Sequence, residues 1–287
     1  MTYKDCYLEG ISRLKGAGVP QAEWDARLLL EYVCNTDCSM LLAHGDEEVN
    51  GEKQEAYFAL IHKRMQRIPL QFLTGEQAFC GLTFQVNEHV LIPRQDTEIL
   101  VEEALKRLEP GMRVLDMCTG SGCILISILS LREGMRGVGV DLSNEALKMA
   151  RENADLLLRG SRQPEWICSD LFNALNKPDG EEERFDMLVS NPPYIPGPMI
   201  ETLMPEVRDY EPKTALDGGE DGLLFYRRIV KEGKDFLKEN GWLLFEIGCE
   251  QKDAVSALMA EAGFCEIECR KDYAGLDRVV IGRKNQR

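Results

Sequence analysis

The sequence predicts an α/β protein: a doubly wound, mostly parallel sheet behind a small all-helical N-terminal segment. Two observations carry this. From about residue 95, short apolar runs recur at 113–116, 137–141, 165–168, 185–189 and 242–247, with amphipathic stretches such as 143–158 and 221–239 between them. Strands that alternate with helices pair in parallel through crossover connections. The first 75 residues show a helical period instead. Leu8, Ile11 and Leu14, then Trp24, Leu28, Leu29 and Val33, recur at three- and four-residue spacing, and Pro20 stands where a helix can begin. A third helix over about 52–67 carries Tyr57, Leu60, Ile61 and Met65 on one face. Residues 79–92 alternate like strands, with Asn87-Glu88 at a turn. The expected organisation is a helical domain over 1–75, a β-hairpin linker over 76–93 and a second domain over 94–287.

Composition narrows the function classes. Of 287 residues, 44% are hydrophobic and 29% charged, which fits a globular chain and excludes collagen, a coiled coil and wholesale disorder. Lys plus Arg number 34 against 49 Asp plus Glu, a formal net charge of −15. Nucleic-acid binding draws on phosphate neutralisation, and no Lys/Arg run forms a basic patch here, so a small molecule or a protein partner is expected. The ten cysteines include no Cys-x-x-Cys pair and only three histidines accompany them. That predicts no metal site and reduced, mostly buried thiols. The strongly apolar stretch 123–131 is interrupted by two serines and too short to span a bilayer. The N-terminus shows neither a signal nor a transit pattern, so a cytoplasmic protein, monomeric by default, is expected.

Ligands of doubly wound sheets bind outside the carboxyl ends of the strands, and each chemistry-bearing string falls in such a loop. The first is Val114-Leu115-Asp116-Met117-Cys118-Thr119-Gly120-Ser121-Gly122, which leads into a helix over 124–131. Its glycines let backbone approach a ligand, and the helix start offers free amides. The dinucleotide spacing Gly-x-Gly-x-x-Gly is not met. The string resembles the Asp-x-Gly-x-Gly-x-Gly loop of class I S-adenosylmethionine-dependent methyltransferases, with Cys118 where the first glycine usually stands. Asp141 ends the next strand, where a carboxylate can accept both ribose hydroxyls of an adenosine-containing cofactor. In the next loop, Cys168-Ser169-Asp170-Leu171-Phe172, the same resemblance implies that Asp170, Leu171 and Phe172 bracket the adenine.

The fourth string is Asn191-Pro192-Pro193-Tyr194. Consecutive prolines fix the backbone and leave carbonyls as acceptors, the Asn191 oxygen adds another, and Tyr194 supplies a flat surface. A planar NH2 group has two hydrogens to give, so this reads as a cradle for an amide or an exocyclic amine. Asn191 also borders the expected cofactor site.

Three longer strings narrow the choice. These are Val90-Leu91-Ile92-Pro93-Arg94-Gln95-Asp96-Thr97-Glu98, the segment from Tyr210-Glu211-Pro212 through Ala215-Leu216-Asp217-Gly218-Gly219-Glu220-Asp221-Gly222-Leu223, and Phe245-Glu246-Ile247-Gly248 with Gln251. With them, essentially the whole chain resembles the release-factor glutamine methyltransferases, the HemK/PrmC family. Gln95 replaces that family's second proline. The resemblance implies a seven-stranded Rossmann-like sheet, S-adenosylmethionine as methyl donor with S-adenosylhomocysteine as product, and a cofactor site at Asp116, Cys118, Thr119, Gly120, Ser121, Gly122 and Asp141. It implies methylation of the side-chain amide of the glutamine in the Gly-Gly-Gln loop of peptide-chain release factors, with the N-terminal helices recognising that partner. Six of the twelve prolines (192, 193, 196, 198, 205 and 212) fall just after Asn191, giving a long shaped loop where a partner's loop could enter. Two rivals share some of these features. An adenine-directed amine methyltransferase would need a basic groove, and a nonenzymatic cofactor-binding module would leave the cradle without a task.

Overall fold

The computed structural model describes residues 1–158 and 163–285, so 159–162 and 286–287 of the expected second domain lie outside the described residues. The chain begins with five helices, α1 (Tyr3–Gly16), α2 (Ala22–Cys34), α3 (Cys38–Ala43), α4 (Gly51–Met65) and α5 (Leu70–Thr74), followed by strands β1 (Glu76–Phe79) and β2 (Leu82–Gln85). Then come α6 (Glu98–Leu105), β3 (Arg113–Met117), α7 (Cys123–Leu131), β4 (Arg136–Asp141), α8 (Asn144–Leu157), β5 (Glu165–Cys168) and β6 (Phe185–Ser190). Short helices α9 (Pro205–Arg208) and α10 (Lys213–Leu216) precede α11 (Leu224–Gly233), β7 (Leu237–Glu246), α12 (Lys252–Glu261), β8 (Phe264–Lys271) and β9 (Asp277–Lys284).

Two compact units result: Met1–Glu76 with Met204–Tyr210, and Gln77–Leu203 with Glu211–Arg287. The first therefore contains a segment that sequence continuity assigned to the second. Helices α1, α3 and α4 start on side-chain caps; at α1, Thr2 accepts from the Asp5 amide while the Asp5 carboxyl accepts from the Thr2 amide, each at 3.1 Å. Leu14, Leu29, Leu30, Tyr57 and Ile61 fill its core. The buried Arg64 donates to Asp25 at 2.7 Å and to Glu206 at 2.8 Å, and Arg67 donates to both oxygens of Glu206. Although burial opposes it, hydrogen bonds from the two guanidiniums hold the Glu206 carboxyl down to about 2. This ion-pair group ties Met204–Tyr210 to α4.

In the second unit, seven strands run in the order β5-β4-β3-β6-β7-β9-β8, all parallel except β9, which is antiparallel to both neighbours. Both faces are covered. Val114, Met187 and Val189 point into one apolar layer with Leu100 of α6 and Ile124 and Leu125 of α7. Leu115, Met117 and Leu188 point into the other with Tyr226 and Ile229 of α11. Each such side chain contributes about 1.5–3 kcal/mol when fully buried, which explains why the buried strands read as nearly continuous apolar runs.

Two expectations need correction. The hairpin turns at Cys80-Gly81, where both residues have positive φ (49° and 75°) as a tight two-residue turn requires. Asn87 instead makes a local turn after β2, accepting from the His89 amide at 3.0 Å. The thiols are all free, but only Cys6, Cys34 and Cys123 are buried, while Cys168 and Cys249 are exposed. Among the described residues no helix is long and apolar enough to cross a membrane, and no His/Cys/Asp/Glu group could hold a metal ion.

Candidate active site

Strands β3 and β6 pair with Met117 opposite Ser190, and the Ser190 hydroxyl donates to the Met117 carbonyl at 2.5 Å. From here the sheet grows through β4 on one side and β7 on the other, so the loops after β3 and β6 leave together at the switch point. A cavity of about 350 Å3 opens there, entirely within the second unit. Among its walls are Cys118, Thr119, Gly120, Ser121, Asp141, Asp170, Leu171, Asn191 and Pro193, drawn from all four expected loops.

The β3 loop keeps its shape through local backbone conformation. Cys118 stands at φ 63°, in the left-handed region that glycine adopts without cost, so the turn of the glycine-bearing family loop is kept with a side chain present. Gly122, at φ 79°, starts α7. Asp141 braces the loop: its Oδ2 accepts from the Gly120 amide and its Oδ1 from the Ser143 amide, each at 2.9 Å. A carboxylate has about four lone-pair positions, so two remain for ribose hydroxyls. Burial pushes the Asp141 carboxyl up, and these backbone amides act against that rise. The cavity wall and the free positions on Asp141 fit an adenosine-containing cofactor.

Five expected site residues do not line the cavity. Asp116 is fully buried beneath the loop, where its Oδ2 accepts from the Thr119 hydroxyl at 2.6 Å; burial pushes its carboxyl up to about 7. It supports the loop from behind. Phe172 stacks on Phe236 with ring centroids 4.8 Å apart, inside the apolar layer that contains Tyr226 and Ile229 of α11. Gly122, Pro192 and Tyr194 also lie off the wall. Asp170 is on the wall, and Arg228 donates to it at 2.8 Å.

The β6 loop is held from remote parts of the chain. The Gln251 side chain donates to the carbonyls of Tyr194 (3.0 Å) and Gly222 (3.2 Å) and accepts from the Gly248 amide. The Ile195 amide donates to the Leu216 carbonyl, and the Gly218 amide returns a bond to the Ile195 carbonyl. A Cβ on Gly222 would come within 2.4 Å of the Tyr194 carbonyl oxygen, so only glycine fits this approach. Asn191 donates from Nδ2 to the Thr97 hydroxyl at 3.4 Å, and the Tyr194 hydroxyl donates to Glu246 Oε1 at 3.4 Å. Thr97, Gly222, Glu246 and Gln251 were not among the expected site residues, although all four lie in the long strings that carry the resemblance.

Fold and site together define a protein of the methyltransferase class. The solved structure of the T. thermophilus 16S rRNA N2 G1207 methyltransferase, in complex with AdoMet and guanosine, matches 73% of this chain and 50% of its own at a TM-score of 0.52 and 19% identity, which shows the shared fold. Family models described as PrmC N-terminal domain and Conserved hypothetical protein 95 match residues 5–75 and 101–216. Proteins named release factor glutamine methyltransferase are similar over nearly the full length. That of Geobacter sulfurreducens is 42% identical over 93% of this chain and 91% of its own. That of Clostridium botulinum is 40% identical over 99% of this chain and 100% of its own. The chain belongs to the release factor glutamine methyltransferase family.

Proposed function

We propose that this chain transfers a methyl group from S-adenosylmethionine to the side-chain amide nitrogen of the glutamine in the Gly-Gly-Gln loop of peptide-chain release factors. The observation that carries this is a single cavity whose wall is shared by the glycine loop with Asp141 and by Asn191 with Pro193. Asp141 would hold the ribose, Gly120 and its neighbours the rest of the cofactor, and Leu171 and Asp170 the base. The cofactor supplies a sulfonium, an activated methyl donor. An amide nitrogen is a poor nucleophile because its lone pair is delocalised, so the task of the protein is alignment for in-line displacement. The Asn191 oxygen on the cavity wall would accept one of the two amide hydrogens, fixing the nitrogen and drawing electron density towards it, while Pro192, off that wall, would keep the backbone beside Asn191 fixed. Pro193 would pack against the side chain on the cavity wall, and Tyr194 would back the loop. No strong base is required, since the proton can leave after methylation makes the nitrogen cationic. The helical unit is the part we assign to recognition of the release factor.

Mass spectrometry of the Gly-Gly-Gln peptide after incubation with protein and S-adenosylmethionine tests this directly, with an adenine-containing oligonucleotide in parallel. One added methyl on the glutamine is expected, and methylation of the oligonucleotide alone would favour the adenine-directed rival. Asn191→Ala should lower turnover roughly 100-fold or more with cofactor affinity nearly intact. Asn191→Asp should also fail, because a new charge must be desolvated in the closed site. Equal loss of cofactor binding and turnover in Asn191→Ala would remove Asn191 from the cradle.

A further inference from the structure

The buried face of α8 consists of Ala146, Leu147, Met149, Ala150 and Ala154 with a single polar residue, Asn153, which is fully buried. Asparagine is a poor helix former, and burying its amide is costly unless each polar atom finds a partner. Packing alone would be served by another apolar side chain. The Asn153 amide is instead fully engaged. Its Oδ1 accepts from the Gln85 amide at 2.7 Å, and its Nδ2 donates to the Gln85 and Ser121 carbonyls, each at 3.0 Å. An N–H can bond only to the oxygen of the side chain and a carbonyl only to its NH2, so one orientation of the amide fits.

The two segments joined in this way are far apart in sequence and both lead into the cavity. Ser121 lies on the wall as part of the glycine loop. Gln85 ends β2, and the chain beyond it reaches the wall from His89 onward, with Val90, Leu91, Pro93 and Arg94. Between Gln85 and the wall the path is stiffened by Asn87, whose Oδ1 accepts from the His89 amide at 3.0 Å and whose carbonyl accepts from the Val90 amide at 3.2 Å. Neither Gln85 nor Asn153 lines the cavity. We infer that Asn153 is a positioning residue whose amide fixes the segment after β2 against the glycine loop, and so sets the separation of two parts of the wall that hold cofactor and substrate. The inference rests on the reading of this cavity as the site of methyl transfer.

The test uses the full-length protein with S-adenosylmethionine and a release factor. Asn153→Ser leaves one hydroxyl for three partners. It should raise the cofactor Kd and the KM for the release factor roughly tenfold, with kcat at saturation within about threefold, since the supports of Asn191 are untouched. A purely structural role gives the opposite split: fewer active molecules, hence lower kcat at unchanged Kd and KM, and that result overturns the inference. Asn153→Asp keeps the shape and the acceptor but loses both donors, and protonation of the new carboxyl returns one. Burial raises the pKa of such a group, so the cofactor affinity of this variant relative to wild type should rise between about pH 8 and about pH 6. A flat ratio overturns the inference. If neither variant folds, hydrogen exchange of the wild-type protein decides. Residues 82–86, none of which lines the cavity, should gain protection when S-adenosylhomocysteine binds, and unchanged exchange there overturns the inference alone. A wild-type protein that binds no S-adenosylmethionine overturns the functional reading and this inference with it.

Discussion

The loop after β3 takes its conformation from residues within or beside it: the left-handed Cys118, Gly120 and Gly122, the Thr119–Asp116 hydrogen bond, and Asp141 from the adjacent strand. The loop after β6 has no such local support. Its Asn191 rests on Thr97, its Tyr194 on Glu246 and Gln251, and its path on glycines near residue 220. The two loops leave the sheet side by side, yet one is held by its own residues, by Asp141 and by Asn153 of α8, which donates to the Ser121 carbonyl at 3.0 Å, while the other draws on segments from residue 97 to residue 251. A binding loop of the first kind takes its supports from the strand and helix that follow it. A loop that must orient one substrate atom draws on the rest of the domain, and its accuracy depends on residues that never meet the substrate.

The largest effect should come from reaching the β6 loop at a distance. Gly222→Ala forces a Cβ into the Tyr194 carbonyl at a position with φ 74° and should strain the site by about 2–4 kcal/mol. Displacement of the loop by about 1 Å would lower turnover on the order of 100-fold. Cofactor affinity, measured by calorimetry, should stay within about twofold; a parallel fall would show that the loops are not independent. Next in size, Asp141→Ala should weaken cofactor binding by about 1–3 kcal/mol, as a charge-assisted acceptor and two backbone braces are lost together. Unchanged affinity in the same calorimetry would take Asp141 out of the site. The smallest effect probes local strain. Cys118→Gly removes a side chain from a left-handed residue and should raise stability by about 0.5–1 kcal/mol in denaturant titrations. Lower stability would mean that packing of the thiol outweighs the backbone cost.

The same contrast explains what could be read from the sequence. The strand order of elements, the glycine loop, Asp141 and the Asn-Pro-Pro-Tyr string are all local signals, and residues from each of these loops reach the cavity wall. The supports of Asn191 and Tyr194 were invisible as supports, because neither periodicity nor spacing links residue 97 to residue 191, or residues 222 and 251 to residue 194. Phe172 lies in the core rather than at the cavity, stacked on Phe236, a residue 64 positions on that no local pattern connects to it. The hairpin turn was misread because Asn87 resembles a turn residue as strongly as Cys80-Gly81 does, and the backbone φ values that separate them do not show in residue types. Glu206 gave no sign at all that it would complete the helical unit.

That last pairing has a consequence for the order of synthesis. Glu206 follows its partner Arg64 by 142 residues, so while the helices emerge from the ribosome the buried Arg64 has Asp25 but lacks half of its counter-charge. The helical unit reaches its final electrostatic balance only after β3, β4, β5 and β6 have been made. A chain cut after residue 76 would keep the Arg64–Asp25 pair but leave the Arg67 guanidinium without its carboxylate. The first part to be translated is thus among the last to be finished, and the nascent protein cannot present a complete helical unit before its catalytic loop exists.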